Sequence, residues 1–222
     1  MIVATFSQTL YDYYTKVSDV NLEAEGIDLR LIDKNSDVEE TCEVLISGSL
    51  KKGQLPRFFD LRYVIVPYTG INGLDVEDIK NCGIKIMNTS AHGHFVAERA
   101  IALLLALRGK LMTYHNGMVN QHWSHRYEDN RLSWKTTYNK KVAVYGYGTI
   151  GREVGKLLKP WHVSLGVLAY KGRVHEEVQN FDDLKQLCEW CDILIVTAPL
   201  TELTKGSIDD EVLKNMQGKY TS

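Results

Sequence analysis

The amino-acid sequence predicts an α/β protein built on doubly wound parallel sheets. Short apolar runs of strand length alternate with longer polar stretches of helix-compatible composition in the first half, and the same alternation restarts at Lys141. Strands that alternate with helices form parallel sheets, because each crossover helix returns the chain to the same end of the sheet. The restart within 222 residues predicts two domains, which we place at residues 1–93 and 94–222.

The first domain is predicted to contain five strands, at residues 2–6, 29–32, 44–46, 63–66 and 85–87. A turn cluster at residues 68–73 follows the fourth strand and precedes a short amphipathic helix at residues 74–80. Ligands of open α/β sheets bind at loops that follow the carboxyl ends of strands. This turn cluster is therefore a candidate binding loop.

Residues 95–108 form the most apolar stretch of the chain. They read FVAERAIALLLALR, with only Glu98, Arg99 and Arg108 charged. A helix without a polar face is normally buried between layers or domains. We therefore expect this helix to lie at the domain junction, near residues 90–100.

A glycine turn, GYGTIG at residues 146–151, is the strongest chemical signal. It follows an apolar strand at residues 141–145 and opens a helix. Gly146 permits a tight turn, Gly148 lets the backbone approach phosphates, and Gly151 lets the helix pack close to the sheet. The helix N-terminus then offers unpaired N–H groups to an anion. This order predicts a Rossmann-type dinucleotide site.

The rest of the second domain continues the alternation. The predicted elements are a helix at 149–159, a strand at 164–170, a helix at 181–190, a strand at 192–197 and a helix at 209–216. Together with the strand at 141–145 they make one half of a doubly wound sheet.

The residue expected to bind the ribose hydroxyls is basic rather than acidic. A carboxylate usually lies about 20 positions after the glycine turn, but here the strand ends in Lys171, Gly172 and Arg173. Two cations favour a 2′-phosphate, which a carboxylate would repel. If these side chains contact the cofactor, they predict NADP or NAD with a modest preference for NADP; the alternative is that both are solvated loop residues.

Composition excludes several other functions. A net charge of −2, with 44% hydrophobic and 24% charged residues, gives no reason to expect nucleic acid or a membrane as partner. The first residues do not resemble a secretory signal and no apolar run spans a bilayer, so we expect a cytoplasmic protein.

Cysteine and histidine patterns also argue against other chemistry. Four scattered cysteines are too few for a disulfide framework, and the pair Cys188 and Cys191 is interpreted as two half-buried thiols. The histidines at positions 92, 94, 115, 122 and 125 recur at no metal-ligand spacing, so no metal is predicted. No serine or cysteine nucleophile is accompanied by a local base.

Residues 63–216 resemble the D-isomer-specific 2-hydroxyacid dehydrogenase family, which includes phosphoglycerate dehydrogenase, glyoxylate reductase and D-lactate dehydrogenase. Four segments in the family's order carry the resemblance, at residues 68–75, 88–98, 144–152 and 192–208. Trp123 also stands where the family usually has a tryptophan. The resemblance implies a flavodoxin-like substrate domain, an inserted Rossmann cofactor domain, and hydride transfer between a nicotinamide cofactor and a small 2-hydroxy or 2-oxo acid.

The resemblance also implies roles for individual residues. The backbone N–H groups of Thr69, Gly70 and Ile71 would hold the substrate carboxylate, and Lys171 would occupy the position of the usual ribose-binding Asp. The predicted cofactor-binding residues from the turn and the resemblance together are Thr69, Gly146, Gly148, Thr149, Ile150, Gly151, Lys171, Arg173, Ala198, Pro199 and Thr204.

The catalytic Arg, Glu and His of the family are expected beyond Ser222, so no residue of this chain is predicted to be catalytic. The complete parent protein is then expected to be an enzyme. The alternative is a non-catalytic nucleotide-binding sensor or corepressor-like protein, because fold alone does not determine function. The apolar helix and residues 112–138 further suggest a homodimer, as related dehydrogenases use this region for a two-fold contact.

Overall fold

The computed structural model describes residues 1–36, 38–122, 133–169 and 172–217. The chain divides into two compact units, Met1–Ala91 and His92–Ser222. The predicted division between residues 93 and 94 lies at the start of the first helix of the second unit.

The first unit is built on a parallel sheet. Its elements along the chain are β1 (Ile2–Thr5), α1 (Gln8–Asp12), a π-helical turn (Tyr13–Val17), β2 (Asp28–Leu31), β3 (Glu40–Thr41), β4 (Val44–Ile46), a 3-10 helix (Lys52–Arg57), β5 (Phe58–Phe59), β6 (Tyr63–Val66), α2 (Val76–Asn81) and β7 (Lys85–Asn88). Within the described residues the main sheet has the order β2-β1-β4-β6-β7, and β3 pairs with β5 separately.

This strand order is the flavodoxin-like one once the short β3 and β5 pair is set aside. The strands of the sheet run parallel, so their carboxyl ends share one edge. Aliphatic side chains form the core between the sheet and its helices; the fully buried ones include Leu45, Leu50, Val64, Val66 and Ile79.

The second unit carries its helices on both faces of another parallel sheet. Its elements are α3 (Gly93–Arg108), α4 (Leu111–Val119), β8 (Lys141–Tyr145), α5 (Thr149–Leu158), a 3-10 turn (Lys159–Trp161), β9 (Ser164–Leu168), β10 (Gln179–Phe181), α6 (Leu184–Trp190), β11 (Ile193–Val196) and α7 (Asp210–Gln217). In the described part of the chain the strand order is β10-β9-β8-β11.

The central strand β8 shows why this sheet needs two layers of helices. Successive side chains of a strand point to opposite faces. Val142 and Val144 pack with α3 and α5 in one cluster, whereas Ala143 packs with α6 and α7 in another. After the exposed Lys141, the strand is therefore apolar because both of its faces are buried. The predicted α/β class with a doubly wound Rossmann sheet is confirmed.

Two of the predicted helices differ clearly from the structure. The helix expected at 181–190 begins later, because Asp183 caps it by accepting a hydrogen bond from the N–H of Gln186, and Phe181 ends β10. The apolar α3 is not buried all round: Ala97 and Leu104 face the core, but Leu103 and Leu107 are 60% and 74% exposed. Hydrophobicity alone did not show which face of α3 the sheet would cover.

Helix length and composition bear on the membrane prediction. Among the helices formed by the described residues, none combines the length and the apolar character needed to cross a bilayer.

Candidate nucleotide-binding site

The carboxyl ends of β8, β9 and β11 lie at one edge of the second sheet, because these strands are parallel. From β8 the chain continues to β9 on one side, and β11 later pairs with the other side of β8. This reversal is a topological switch point, where ligands of doubly wound sheets bind. Residues 146–151 lie at that point, directly after β8.

Gly146 is required by the backbone around it. Its φ is +104°, and a Cβ atom there would lie 2.3 Å from the backbone nitrogen of Ala198. The loop after β11 is held in this position by Thr197, whose N–H donates to the carbonyl of Tyr145 at 2.8 Å. The hydroxyl of Thr197 donates to the carbonyl of Gly146 at 2.7 Å. Any side chain at residue 146 would separate the turn from this loop.

Gly151 and Gly148 differ in what surrounds them. A Cβ atom at Gly151 would lie 2.4 Å from the carbonyl oxygen of Gly146, so this glycine lets α5 begin close to the strand. A Cβ atom at Gly148 would have no heavy atom of the described chain within 4 Å. Gly148 has φ of −81°, which any residue adopts. The fold does not require glycine at 148, and the open space beside it suits a ligand.

The first turn of α5 leaves its backbone donors open. Gly148 is the N-cap and contributes no side-chain hydrogen bond. Within the described residues, the N–H groups of Thr149, Ile150 and Gly151 have no acceptor. Unpaired N–H groups at the positive end of a ten-residue helix attract an anion. Together with the space at Gly148, they fit the pyrophosphate of a dinucleotide.

The loop after β11 contains the other residues predicted to line this site. Ala198 is half-buried against Gly146, and Pro199 is exposed. The hydroxyl of Thr204 donates to the carbonyl of Pro199 at 2.5 Å and accepts from the N–H of Thr201 at 2.8 Å. Through these hydrogen bonds the Thr204 hydroxyl connects Pro199 with Thr201 and stabilises the conformation of the loop.

The basic residues after β9 are described only in part. Lys171 lies outside the described residues, and Arg173 is exposed. Two residues farther on, the ring of His175 lies edge-on against Tyr147, with ring centroids 4.9 Å apart and an interplanar angle of 79°. Burial lowers the pKa of His175, and the positive charges of Arg173 and Arg152 lower it further.

Sequence reasoning missed His175 and Arg152. Neither residue is part of the GYGTIG turn, and only the tertiary structure shows that His175 contacts Tyr147. Burial also raises the pKa of the Tyr147 hydroxyl, which Glu177 raises further.

In the first unit, the loop after β6 carries the predicted substrate-binding residues. Asn88 Nδ2 donates to the carbonyl of Thr69 at 2.7 Å, and the Thr69 hydroxyl donates to the carbonyl of Thr89 at 3.4 Å. The N–H groups of Thr69, Gly70 and Ile71 have no acceptor among the described residues. The loop is therefore fixed through its carbonyl and side chain, and its donors are open for an anion such as a carboxylate.

Gly48, in a segment after β4 that was not predicted to matter, supports this loop. A Cβ atom at Gly48, after β4, would lie 1.3 Å from the Tyr68 hydroxyl oxygen. A Cβ atom at Gly73 would lie 2.2 Å from the Gly48 carbonyl oxygen. Both glycines therefore permit close approach of the two loops. The sequence signal was present in Ser47, Gly48 and Ser49, a cluster of small residues after a strand.

The predictions about cysteine and histidine can be compared with the described residues. Cys188 and Cys191 are fully buried rather than half-buried, and both are free thiols. Burial raises the pKa of Cys42 to about 11, which makes this thiol a poor nucleophile. The described part of the chain contains no group of three potential metal ligands. Trp123 and His125 lie outside the described residues.

Comparison with known proteins agrees with the geometry of the second unit. Residues 101–221, more than half of the chain, match the family model described as D-isomer specific 2-hydroxyacid dehydrogenase, NAD binding domain. The hydroxypyruvate reductase of Thermotoga maritima is 29% identical over 151 residues, which cover 67% of this chain and 47% of that protein.

Two solved structures show the same fold. D-lactate dehydrogenase from Aquifex aeolicus, complexed with NAD and lactic acid, has a TM-score of 0.79 at 18% identity, covering 97% of this chain and 66% of that one. An acyclic imino acid reductase in complex with NADPH and D-Arg has a TM-score of 0.75 at 19% identity, covering 97% and 71%. The chain spans about half the length of the curated relatives it matches. On the family match, the chain belongs to the D-isomer specific 2-hydroxyacid dehydrogenases.

Proposed function

We propose that this chain forms the cofactor-binding and substrate-binding parts of a dehydrogenase that transfers a hydride between a nicotinamide cofactor and a D-2-hydroxy or 2-oxo acid. The observation that carries the proposal is the open N-terminus of α5 behind Gly148, at the switch point of a parallel sheet. When bound, the nicotinamide supplies the hydride to the carbonyl carbon of a 2-oxo acid, or accepts it in the reverse direction. The residues of this chain bind and orient the two reactants.

The proposed cofactor site follows from the turn. The N–H groups of Thr149 and Ile150 would donate to the pyrophosphate, and Gly146 and Gly151 would keep the turn close to β8. Ala198, Pro199 and Thr204 would line the nicotinamide side through the loop that Thr197 fixes to Gly146. Because the donors come from the backbone, this part of the site is oriented before the cofactor binds.

The proposed substrate site is the loop after β6. A carboxylate carries a full negative charge and accepts hydrogen bonds from N–H groups, which are strengthened by that charge. Thr69, Gly70 and Ile71 offer three such groups on a loop that Asn88 holds. This site would select acids over neutral carbonyl compounds.

Binding of the nucleotide is tested by titrating the chain with NADPH and NADH, followed by the fluorescence of the reduced nicotinamide. Saturable binding is expected. Failure of both nucleotides to saturate the chain at up to about 1 mM would contradict the proposal.

Catalysis is tested on the complete gene product with pyruvate, hydroxypyruvate and glyoxylate. Oxidation of the reduced cofactor is expected, and acetaldehyde, which lacks the carboxylate of pyruvate, should react far more slowly. Tight nucleotide binding without turnover of any 2-oxo acid would instead support the non-catalytic sensor, which the family match does not favour.

For the cofactor we propose NADP over NAD, by about tenfold. Arg173 is exposed, so solvent screens its charge. Arg173 and Lys171 together would then favour the binding free energy of NADP over NAD by about 1–2 kcal/mol. The ratio of the two dissociation constants should shrink as salt rises, because exposed phosphate contacts are screened. Equal affinities for NADPH and NADH at low salt would contradict this choice.

We also propose that the protein is a homodimer that associates through α3 and α4. Leu103, Leu107, Leu111 and Met112 are large apolar side chains that remain exposed in the single chain. Exposed apolar patches mark interaction sites, and closed two-fold dimers are the commonest soluble assemblies. Light scattering should give a dimer mass for the parent and a monomer mass for Leu107→Glu. Leu157→Glu, an exposed position on α5, is the control and should remain dimeric.

A further inference from the structure

Residues 175–178, between β9 and β10, are held by Asn180. The Asn180 side chain accepts a hydrogen bond from the N–H of His175 at 2.9 Å and donates to the carbonyls of His175 at 2.8 Å and Val178 at 2.9 Å. Two of these hydrogen bonds position the backbone of His175, and the third holds Val178. The imidazole is therefore placed by the fold rather than left on a free loop.

Tyr147 supplies the other side of this arrangement. Its ring lies edge-on to His175, and its hydroxyl lies 3.0 Å from where a Cβ atom of Gly155 would be, so the ring runs along α5. Tyr147 is the second residue of the glycine turn. The imidazole thus contacts a residue of the proposed nucleotide turn, and its backbone is hydrogen-bonded to Asn180, which pairs with Val167 near the carboxyl end of β9. The adenosine ribose of a dinucleotide binds at this end of such a sheet.

The charges that face His175 are positive. Arg173, on its own loop, and Arg152, on the first turn of α5, both disfavour protonation of the imidazole, and burial disfavours it more strongly. No carboxylate of the described chain offsets them at His175. Glu177 acts on the neighbouring Tyr147, and Glu153 is paired with Lys156 at 2.7 Å. The cluster is therefore a cationic surface around an imidazole whose protonation it disfavours.

We propose that Arg152, Arg173 and His175 together recognise the 2′-phosphate of NADP(H), and that His175 takes up a proton from solvent when this phosphate binds. The proposal rests on the nucleotide site proposed above and adds a pH dependence to it. A phosphate dianion beside the imidazole favours the charged form and offsets the repulsion from the two guanidinium groups. Arg152 and His175 are thus assigned as specificity-determining residues.

Binding of NADPH and proton uptake by His175 are thermodynamically linked. The pKa of His175 is lowered in the free protein and raised by the bound phosphate, so the complex holds a proton that the free protein lacks at pH values between the two. Affinity for NADPH should rise as the pH falls through that window, by at most about tenfold per pH unit. NADH has no 2′-phosphate, so its affinity should not rise as the pH falls. Below about pH 6 the phosphate itself takes up a proton, which ends the rise.

The test is a titration of the chain with NADPH and NADH between about pH 8.5 and 6.5. In the parent, the ratio of the NADH to the NADPH dissociation constant should increase about threefold to tenfold as the pH falls. His175→Gln should make this ratio nearly independent of pH. His162→Gln is the matched control, because His162 precedes β9 at the opposite edge of the sheet, and it should behave like the parent.

Two further measurements keep the test independent of one variant. Arg152→Gln should weaken NADPH binding about threefold to tenfold and leave NADH binding unchanged. Calorimetry of the parent in two buffers with different ionisation enthalpies should show net proton uptake with NADPH but not with NADH. A ratio that does not change with pH in the parent, or that changes equally in His175→Gln, would overturn the proposal while nucleotide binding itself persists. Failure of both nucleotides to bind would overturn the proposed nucleotide site together with it.

Discussion

The glycine turn after β8 and the loop after β6 both have open backbone N–H groups, but their structural settings differ. In the turn, Gly146 and Gly151 pack against backbone and Gly148 has open space beside it. In the loop, Gly73 packs against backbone, whereas a Cβ at Gly70 would make only an ordinary contact with Asn72. The turn leads into a ten-residue helix with open donors. The loop leads into the six-residue α2, which begins at Val76.

The difference suggests which anion each region suits. A helix N-terminus adds the field of its macrodipole to the N–H groups of the turn, which favours the larger charge of a pyrophosphate. The loop after β6 offers N–H groups without a long helix behind them, which suits a single carboxylate. In both regions, the packed glycine should control folding and the open glycine should control binding.

The largest expected effect is on stability, at the packed glycines. Gly146→Ala places a Cβ 2.3 Å from the backbone of Ala198 at a φ of +104°, and Gly73→Ala places one 2.2 Å from the carbonyl oxygen of Gly48. Each should lower the free energy of unfolding by about 2 kcal/mol or more. Urea unfolding followed by circular dichroism measures this. Gly53→Ala, with open space beside it, is the control; a loss at Gly53 as large as at Gly146 would refute the packing argument.

The second effect is on nucleotide binding, at Gly148. A methyl group there meets no described atom, so Gly148→Ala should unfold at the same urea concentration as the parent. It should nevertheless weaken NADPH and NADH binding by about 10-fold to 100-fold, because the methyl group holds the phosphates away from the N–H donors. Fluorescence titration measures the loss. A folded variant that binds as tightly as the parent would show that no phosphate approaches residue 148.

The third effect separates the two regions. The nearest atom to a Cβ at Gly70 is Asn72 Oδ1 at 3.6 Å, which is an ordinary contact. Gly70→Ala should therefore fold normally and raise the KM for a 2-oxo acid about tenfold in the complete gene product. The dissociation constant for NADH should change little. An unchanged KM would remove this loop from the proposed substrate site.

The smallest effect concerns the bond that fixes the loop after β11 to the turn. Thr197→Val removes the hydroxyl that donates to the carbonyl of Gly146 but keeps the shape of the side chain. It should lower the free energy of unfolding by about 1 kcal/mol and weaken nucleotide binding only slightly. Thr204→Val removes a hydroxyl bonded within its own loop and is the comparison variant. A larger effect on binding at Thr204 than at Thr197 would show that the Thr204 hydroxyl contacts the nucleotide directly.

Much of the fold could be predicted from the sequence. Strands buried on both faces are continuous apolar runs, so β4, β6 and β8 were predicted with their observed bounds. The short edge strand β10 was missed, because Gln179 and Asn180 are polar and carry no strand signal. The exposed face of α3 was also missed, because an almost uniformly apolar sequence does not indicate which side packs on the sheet.

By itself, the sequence determined the class of the protein and the position of its nucleotide turn, because both depend on local patterns: the alternation of strands with helices and three glycines between a strand and a helix. The motif also predicted that Gly151 lets the helix pack closely and that Gly148 leaves space for phosphates. Only the tertiary structure showed that Gly146 packs against the backbone of Ala198, about fifty residues away. The same holds for His175, whose neighbours Tyr147 and Arg152 lie in another element. Local spacing predicts which chemistry is present, whereas the environment of each group depends on contacts between distant segments.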